Sequence, residues 1–191
     1  MLHFEEIIAG CAQQKEKSKE SLYKAYYGYL IAVILRYVKE RDDAEELVND
    51  VFIKIFGAIH QFVLPSDKEH QVRAFKAWIS KIASRSSIDF LRSKKDFVSL
   101  DDVHAENEPA SKVNVVESLN AKDILKLLDN LPEMHRVIFN LYEIEGYSHD
   151  EISKALNIPE SSSRVYLTRA KNKLRTLYLK LTENTYATYG T

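Results

Sequence analysis

From Ala44 to Ile59 the apolar side chains Ala44, Leu47, Val48, Val51, Phe52, Ile55, Phe56 and Ile59 recur in alternating steps of three and one, without a gap. Only a helix of 3.6 residues per turn gathers that spacing on one face, since a strand would scatter it over both. A helix with so continuous an apolar stripe must bury it against other elements. Similar spacing fills most of the chain, and its 191 residues hold only 5 glycines and 4 prolines, too few for the turns of a strand-rich fold. The sequence therefore reads as all-α: two small helical domains joined by an acidic linker, the C-terminal one a helix-turn-helix.

Three helices, a linker and four further helical segments follow in order. The spacing of Leu22, Tyr26, Leu30, Val33, Ile34 and Tyr37 predicts a first helix over about 19–38. A second begins at Asp42, with Asp42 and Glu45 placed for a capping box, so that Glu45, Glu46, Asn49 and Asp50 point outward. The stretch QFVLPSDKEHQV reads as a loop, and a third helix carries Phe75, Trp78, Ile79, Ile82, Ile88 and Leu91, with Trp78 in the core. Residues 96–117 are acidic, weakly periodic and contain Pro109, which marks a linker between a domain over 1–95 and one over 118–191 with a flexible C-terminal tail. In the second domain the helical segments are 118–130, 132–145, 148–156 and about 159–181. Ser148 and Glu151 form a second capping box, and Asn157 sits in a tight turn that tolerates the left-handed conformation.

Projected at 100° per residue, Leu167, Ala170, Leu174, Leu177, Tyr178 and Leu181 share the inner side of the last helix. Ser161, Arg164, Val165, Thr168, Arg169 and Asn172 lie opposite, with Ser162 at the flank and Ser163 pointing inward. In a DNA-reading helix-turn-helix the N-terminal outer face enters the major groove. There arginine can fork onto guanine and valine can touch a thymine methyl. Lys171, Lys173 and Arg175, further along, suit phosphates. A solvated cationic face is the competing reading.

A net charge of -1 hides strong segregation. Acids cluster at Glu40, Asp42, Asp43, Glu45, Glu46 and Asp50, and again at Asp96, Asp101, Asp102, Glu106 and Glu108. Bases gather from Arg73 to Lys95 and from Arg164 to Lys180. Such a chain is suited to touching both a nucleic acid and a basic protein surface. Its single cysteine, Cys11, excludes an internal disulfide or a multi-cysteine metal site. No apolar run reaches the roughly 20 residues that span a bilayer, and the first residues lack a basic region before an apolar core, so a cytoplasmic location is expected. The six histidines are scattered, with no zinc-protease spacing, phosphate loop or nucleophile elbow, which argues against an enzyme and for neither cofactor nor metal.

In this order the segments RDDAEELVNDVFIKIF, FKAWISKIASRSSIDFLRSKK, the acidic linker, and LDNLPEMHRVIFNLYEIEGYSHDEISKALNIPESSSRVYLTRAKNKLR resemble the extracytoplasmic-function (ECF) group of bacterial sigma-70-type RNA polymerase sigma factors. The resemblance implies that the first domain is sigma region 2-like, binding core polymerase and the minus-ten element, and the second region 4-like, binding the minus-thirty-five element. It implies docking of Asp42, Asp43, Glu46, Asn49 and Asp50 on the coiled coil of the polymerase largest subunit, with the flap as a further contact. It implies that Arg73, Lys76, Lys81, Arg85, Arg92, Lys94 and Lys95 line the path of a melted promoter strand, with Phe62 or His70 near a flipped base. The linker would thread the polymerase's nucleic-acid channel, and an anti-sigma factor, often membrane-bound in the group, would be a partner. Departures from the group's pattern are Arg85 where asparagine is common, a longer loop over 61–73, Ser161–Ser163 in place of glycine, threonine and valine, and Tyr166 at a commonly basic position. The alternative is a helix-turn-helix DNA-binding regulator that is not a polymerase subunit. It leaves the first domain and its outward acids without a role.

Overall fold

A computed structural model describes residues 4–94 and 127–189, with side chains given to residue 180. Among the described residues every regular element is helical, and the chain divides into two compact units, Met1–Leu91 and Arg92–Thr191.

The first unit holds α1 (Phe4–Ala12), α2 (Glu16–Ile34), α3 (Arg41–Ala58), a short 3-10 turn (Ile59–Gln61) and α4 (Lys68–Ser93) up to Leu91, the last two residues of that helix falling past the unit's boundary. The stripe on α3 is buried as its spacing requires: Ala44, Val48, Val51 and Ile55 are fully enclosed, and Leu47 and Phe52 nearly so. Each of the larger of these side chains contributes about 1.5–3 kcal/mol when taken from water, so this face adds substantially to the cohesion of the unit. Phe56 is only half-buried. The expected capping box does not form, because α3 starts one residue earlier, at Arg41, with Glu40 as N-cap and no side-chain cap bond. The Glu45 carboxylate is instead paired with Arg41, which donates to it at 2.8 Å. The first predicted helix is shorter at its C-terminus: α2 ends at Ile34, and Tyr37 and Val38 are buried from the turn that follows.

Helix α4 begins at Lys68, so the connection is shorter than the sequence implied. Asp67 accepts a bond from the Glu69 backbone N–H at 3.0 Å and starts the helix inside the stretch read as loop. Its inner face is unusual in being built from small polar residues: Ser80, Ser84, Ser86 and Ser87 are buried beside Phe75, Ile79, Ala83, Ile88 and Leu91. Ser87 Oγ donates to the Ala83 carbonyl at 2.9 Å and Ser84 Oγ to that of Lys81 at 3.2 Å, which keeps buried hydroxyls paired. Lys54 Nζ reaches from α3 to Ser86 Oγ at 2.8 Å. Phe75 anchors α4, with ring contacts to Phe4, Tyr26 and Phe62 at 5.5, 5.0 and 5.2 Å. Trp78, expected in the core, is half-buried at the edge of this cluster.

Helix α1 was not apparent from the sequence. Gln14, at φ 59°, turns the chain so that α1 and α2 approach closely at Gly10. A Cβ on Gly10 would lie 2.0 Å from Ser18 Oγ and 2.8 Å from Ser18 Cβ. Gly10→Ala is therefore expected to force the two helices apart and cost about 1–3 kcal/mol, read as a lowered urea midpoint of the full chain. An unchanged midpoint would show that the approach is not needed. Beneath it, burial pushes the Cys11 thiol up to about 11, so it stays protonated and unreactive.

The second unit contains α5 (Glu133–Phe139), a π-helical turn (Asn140–Ile144), α6 (His149–Leu156) and α7 (Glu160–Tyr189). The single helix read over 132–145 is thus interrupted: the Glu145 N–H bonds to the Asn140 carbonyl at 3.0 Å, and Gly146, at φ 75°, ends the turn. The segments read as helix over 118–130 and as linker over 96–117 lie almost wholly outside the described residues; only 127–130 is seen. Leu128, Leu131 and Ala170 form a core cluster flanked by Phe139 and Leu174. Arg136 is fully buried beside Val137 and Ile138, and Asp129 pairs with it at 3.4 Å. Burial lowers its pKa, opposed by Asp129 and Glu133, and the guanidinium stays charged.

Candidate nucleic-acid and polymerase interfaces

The helix-turn-helix is built from α6, its turn and α7. Ser148 Oγ accepts from the Glu151 N–H at 3.2 Å while the Glu151 carboxylate accepts from the Ser148 N–H at 2.8 Å, completing the expected capping box. Asn157 closes α6 at φ 53°, as its residue type predicts. Ser153 Oγ then donates to the Ile158 carbonyl at 2.6 Å, and buried Ile158 packs the turn. Helix α7 starts at Glu160, one residue after Pro159, and runs on to Tyr189, beyond the expected end.

On α7 the predicted faces separate. Ser161, Arg164 and Val165 are exposed, Ser162, Thr168, Arg169 and Asn172 are half-buried, and Leu167 and Ala170 are buried. Leu174, Leu177 and Tyr178 are only partly covered. Val165, at 45 % exposure, is an apolar side chain held out among polar ones, which suits contact with a thymine methyl. Arg164 pairs with Glu160 one turn earlier, and Thr168 Oγ1 donates to the Arg164 carbonyl at 3.0 Å, so its hydroxyl proton is committed within the helix. Lys173 and Arg175 are exposed, whereas Lys171 reaches to Glu143 at 2.6 Å and lies over the Tyr142 ring. Tyr166, at the position where the ECF pattern is commonly basic, is buried, its ring 5.4 Å from His135.

Ser163 is fully buried, as projection required, but it neither bonds to backbone nor leaves a loose helix start. Its Oγ lies 2.9 Å from His149 Nδ1, the first residue of α6. The His149 ring stacks on Tyr142 at 4.5 Å and 27°. Burial first, then the charges of Arg164 and Lys171, lower the His149 pKa, with Glu160 opposing, so the imidazole is neutral near pH 7. Sequence spacing gave no signal for this pair, because residues 14 apart on two helices meet only through the turn between them.

In the first unit, Asp42, Glu46, Asn49 and Asp50 form one exposed row on α3, with Asp43 half-buried beside it. Asn49 is tied down, its Oδ1 accepting from Tyr23 at 2.9 Å and its Nδ2 donating to the Glu45 carbonyl at 3.0 Å. Ile53, 69 % exposed, continues the row one turn on and went unnoticed in sequence because it breaks the polar pattern. On α4, Arg73, Lys76, Lys81, Arg85 and Arg92 are exposed, and Lys94 follows the helix end; Lys95 lies outside the described residues. Lys76 Nζ is 5.4 Å above the Tyr29 ring, which leaves its charge at the surface. Phe62 packs on Phe75 and Trp78 rather than standing free, and His70 is exposed with Nδ1 2.6 Å from Asp67. Among the described residues no cluster of metal-ligating side chains occurs, and no helix is long and apolar enough to cross a membrane.

One unit thus bears an acidic row and a basic helix, and the other a capped helix-turn-helix. The family model for sigma-70 region 2 matches residues 22–97, and that for sigma-70 region 4 matches residues 121–174. The ECF RNA polymerase sigma factor SigM of Bacillus subtilis (strain 168) is 25% identical over 166 residues, covering 83% of this chain and 94% of that protein. The RNA polymerase sigma factor SigZ of the same strain is 29% identical over 158 residues, covering 83% and 85%. Among solved structures, the sigma factor RpoE of Bartonella quintana, in complex with the anti-sigma factor NepR, is 22% identical over 84% of this chain and 96% of that chain, with a TM-score of 0.47. The chain belongs to the ECF group of the sigma-70-type RNA polymerase sigma factors. It is accordingly a promoter-recognition protein of transcription initiation.

Proposed function

We propose that this sigma factor is a dissociable, non-enzymatic specificity subunit working in the cytoplasm: it joins core RNA polymerase through the first unit, presents α7 to the minus-thirty-five element, and offers α4 to the melted minus-ten strand. The observation that carries this division of labour is the opposition of charge on separate faces. The α3 row is acidic and exposed, while the outer faces of α4 and the α7 start are cationic and exposed. Acids repel DNA but complement a basic-rimmed protein surface, such as the coiled coil of the polymerase largest subunit. Cations with an apolar Val165 among them complement a groove. An anti-sigma factor is the proposed regulator, acting by covering these faces; the flap is the proposed second polymerase contact, for the region 4-like unit.

The proposed roles are Asp42, Asp43, Glu46, Asn49 and Asp50 for polymerase, with Ile53 as an apolar addition; Arg73, Lys76, Lys81, Arg85, Arg92, Lys94 and Lys95 for the melted strand; and Ser161, Ser162, Arg164, Val165, Thr168 and Arg169 for bases, with Lys171, Lys173 and Arg175 for phosphates. Run-off transcription with purified core enzyme on genomic promoter fragments tests the whole. Promoter-dependent transcripts that appear only when the protein is added are expected. A protein that binds the fragments but yields no transcript from any of them would instead be a regulator acting without polymerase.

A further inference from the structure

We propose that His149 is a positioning residue for promoter readout, acting through Ser163 to set the rotation of α7. The proposal rests on the reading that the α7 outer face meets bases.

The buried side of the α7 start is otherwise apolar, with Tyr166, Leu167 and Ala170 enclosed. Apolar contact is non-directional, so it seats a helix without fixing its rotation closely. The Ser163 hydroxyl is a directional element on that side. It is fully buried, and a buried hydroxyl left unpaired is destabilising. Its partner at 2.9 Å is His149 Nδ1, and a hydrogen bond weakens steeply with misalignment. A rotation of about 10° at the roughly 6 Å radius of side chains moves a tip by about 1 Å, enough to spoil a two-point contact to a base. Ser163 is flanked in sequence by Ser162 and Arg164, so its setting governs where the neighbouring outward side chains point.

His149 is itself held from the far side. Its ring stacks on Tyr142 in the π-helical turn. Lys171 lies 5.9 Å above the Tyr142 ring and pairs with Glu143 of the same turn at 2.6 Å. The contacts therefore close a ring: from Ser163 on α7 to His149 on α6, to Tyr142 and Glu143, and back to α7 at Lys171. The two points of return are eight residues apart, about 12 Å along the axis. Two anchors separated in this way resist both rotation and tilt, which neither would do alone. In either neutral tautomer the bond persists, since Ser163 Oγ can donate to Nδ1 or accept from it.

The test uses holoenzyme assembled from the full chain and core polymerase on a promoter library with a randomised upstream element, transcripts being sequenced to give base preference at each position. Arg164→Ala tests the underlying reading and is expected to flatten preference at one or two positions. Ser163→Ala and His149→Ala are each expected to reduce preference ratios across several adjacent positions by about threefold to tenfold, and the double variant no further, because both remove one contact. His149→Asn, whose amide can occupy the Nδ1 position, is expected to restore preference, and His149→Gln, whose amide lies one bond further out, is not. This pair decides the matter even where the alanine variants fold poorly. A uniform fall in output at every sequence, unchanged preference, or equal behaviour of the Asn and Gln variants would overturn the proposal. If Arg164→Ala also keeps parental preference, the base-facing reading falls with it; if Arg164→Ala alone alters preference, only the role of His149 is lost.

Discussion

Replacing both Glu46 and Asp50 by lysine is expected to raise the Kd of the sigma factor for core polymerase by well over tenfold without unfolding it. Both side chains are exposed on the outer row of α3, one turn apart, and neither belongs to the buried stripe of that helix. Against a basic surface at about 4 Å, each carboxylate gains roughly 1 kcal/mol at the dielectric of water and several times that where water is thinned. Reversal turns each attraction into a repulsion of similar size, at least about 2 kcal/mol per position, and 1.4 kcal/mol is already tenfold. Most of the loss should appear in the association rate and shrink as salt is added. Asn49 should behave differently, since Tyr23 already takes its carbonyl, and Asn49→Ala should act partly by loosening α2 from α3. Titration of labelled protein against core enzyme at two salt concentrations measures this; an affinity equal to that of the parent would remove the α3 row from the interface.

The second large effect is expected at Arg164. Its loss to alanine should flatten base preference within the upstream element by about 1–3 kcal/mol at one or two positions while leaving the salt dependence nearly unchanged. Lys173→Ala should do the opposite, weakening binding to all sequences alike and lowering the salt slope by about one. The contrast follows from what each side chain can meet: a fork aimed from the helix start, and a single charge further along. Glu160 supplies an internal control. It pairs with Arg164 in the free protein, so bases must compete with it, and Glu160→Gln should strengthen upstream-element binding. Quantitative footprinting with parent and variants reads all three. Identical base preference in parent and Arg164→Ala would take that residue out of readout.

What could be read in the sequence was what periodicity and local bonding determine. The α3 stripe, the Ser148–Glu151 box, the left-handed Asn157 and the inward Ser163 all depend on residues within a few positions of one another, so spacing alone revealed them. The failures have several causes. The Asp42 cap lost to an Arg41–Glu45 pair, and the 132–145 helix was interrupted by a π turn that no residue type announces. Trp78 was placed in the core by its neighbours, yet Phe75 fills that space and leaves the indole at the rim. At the candidate sites, Ser161, Arg164 and Val165 are exposed as projected while Thr168, Arg169, Asn172 and Asp43 are half-buried, and partners could not be read: Lys171 to Glu143, Asn49 to Tyr23 and Ser163 to His149 each join residues of different elements. Helix α1 escaped because its nine residues are too few for a periodic signal and its docking depends on a glycine.

The serine-lined inner face of α4 bears on how such a protein can diversify. Here the hydroxyls of Ser84 and Ser87 are returned to their own helix, and Phe75, near one end, supplies the aromatic grip. The rest of the inner face mixes these serines with the buried side chains of Ile79, Ile88 and Leu91. A helix carried in that manner keeps its place while the outward residues, Lys81, Arg85 and Asp89 among them, are exchanged. Substitution on that outer face should therefore leave the fold of the first unit intact.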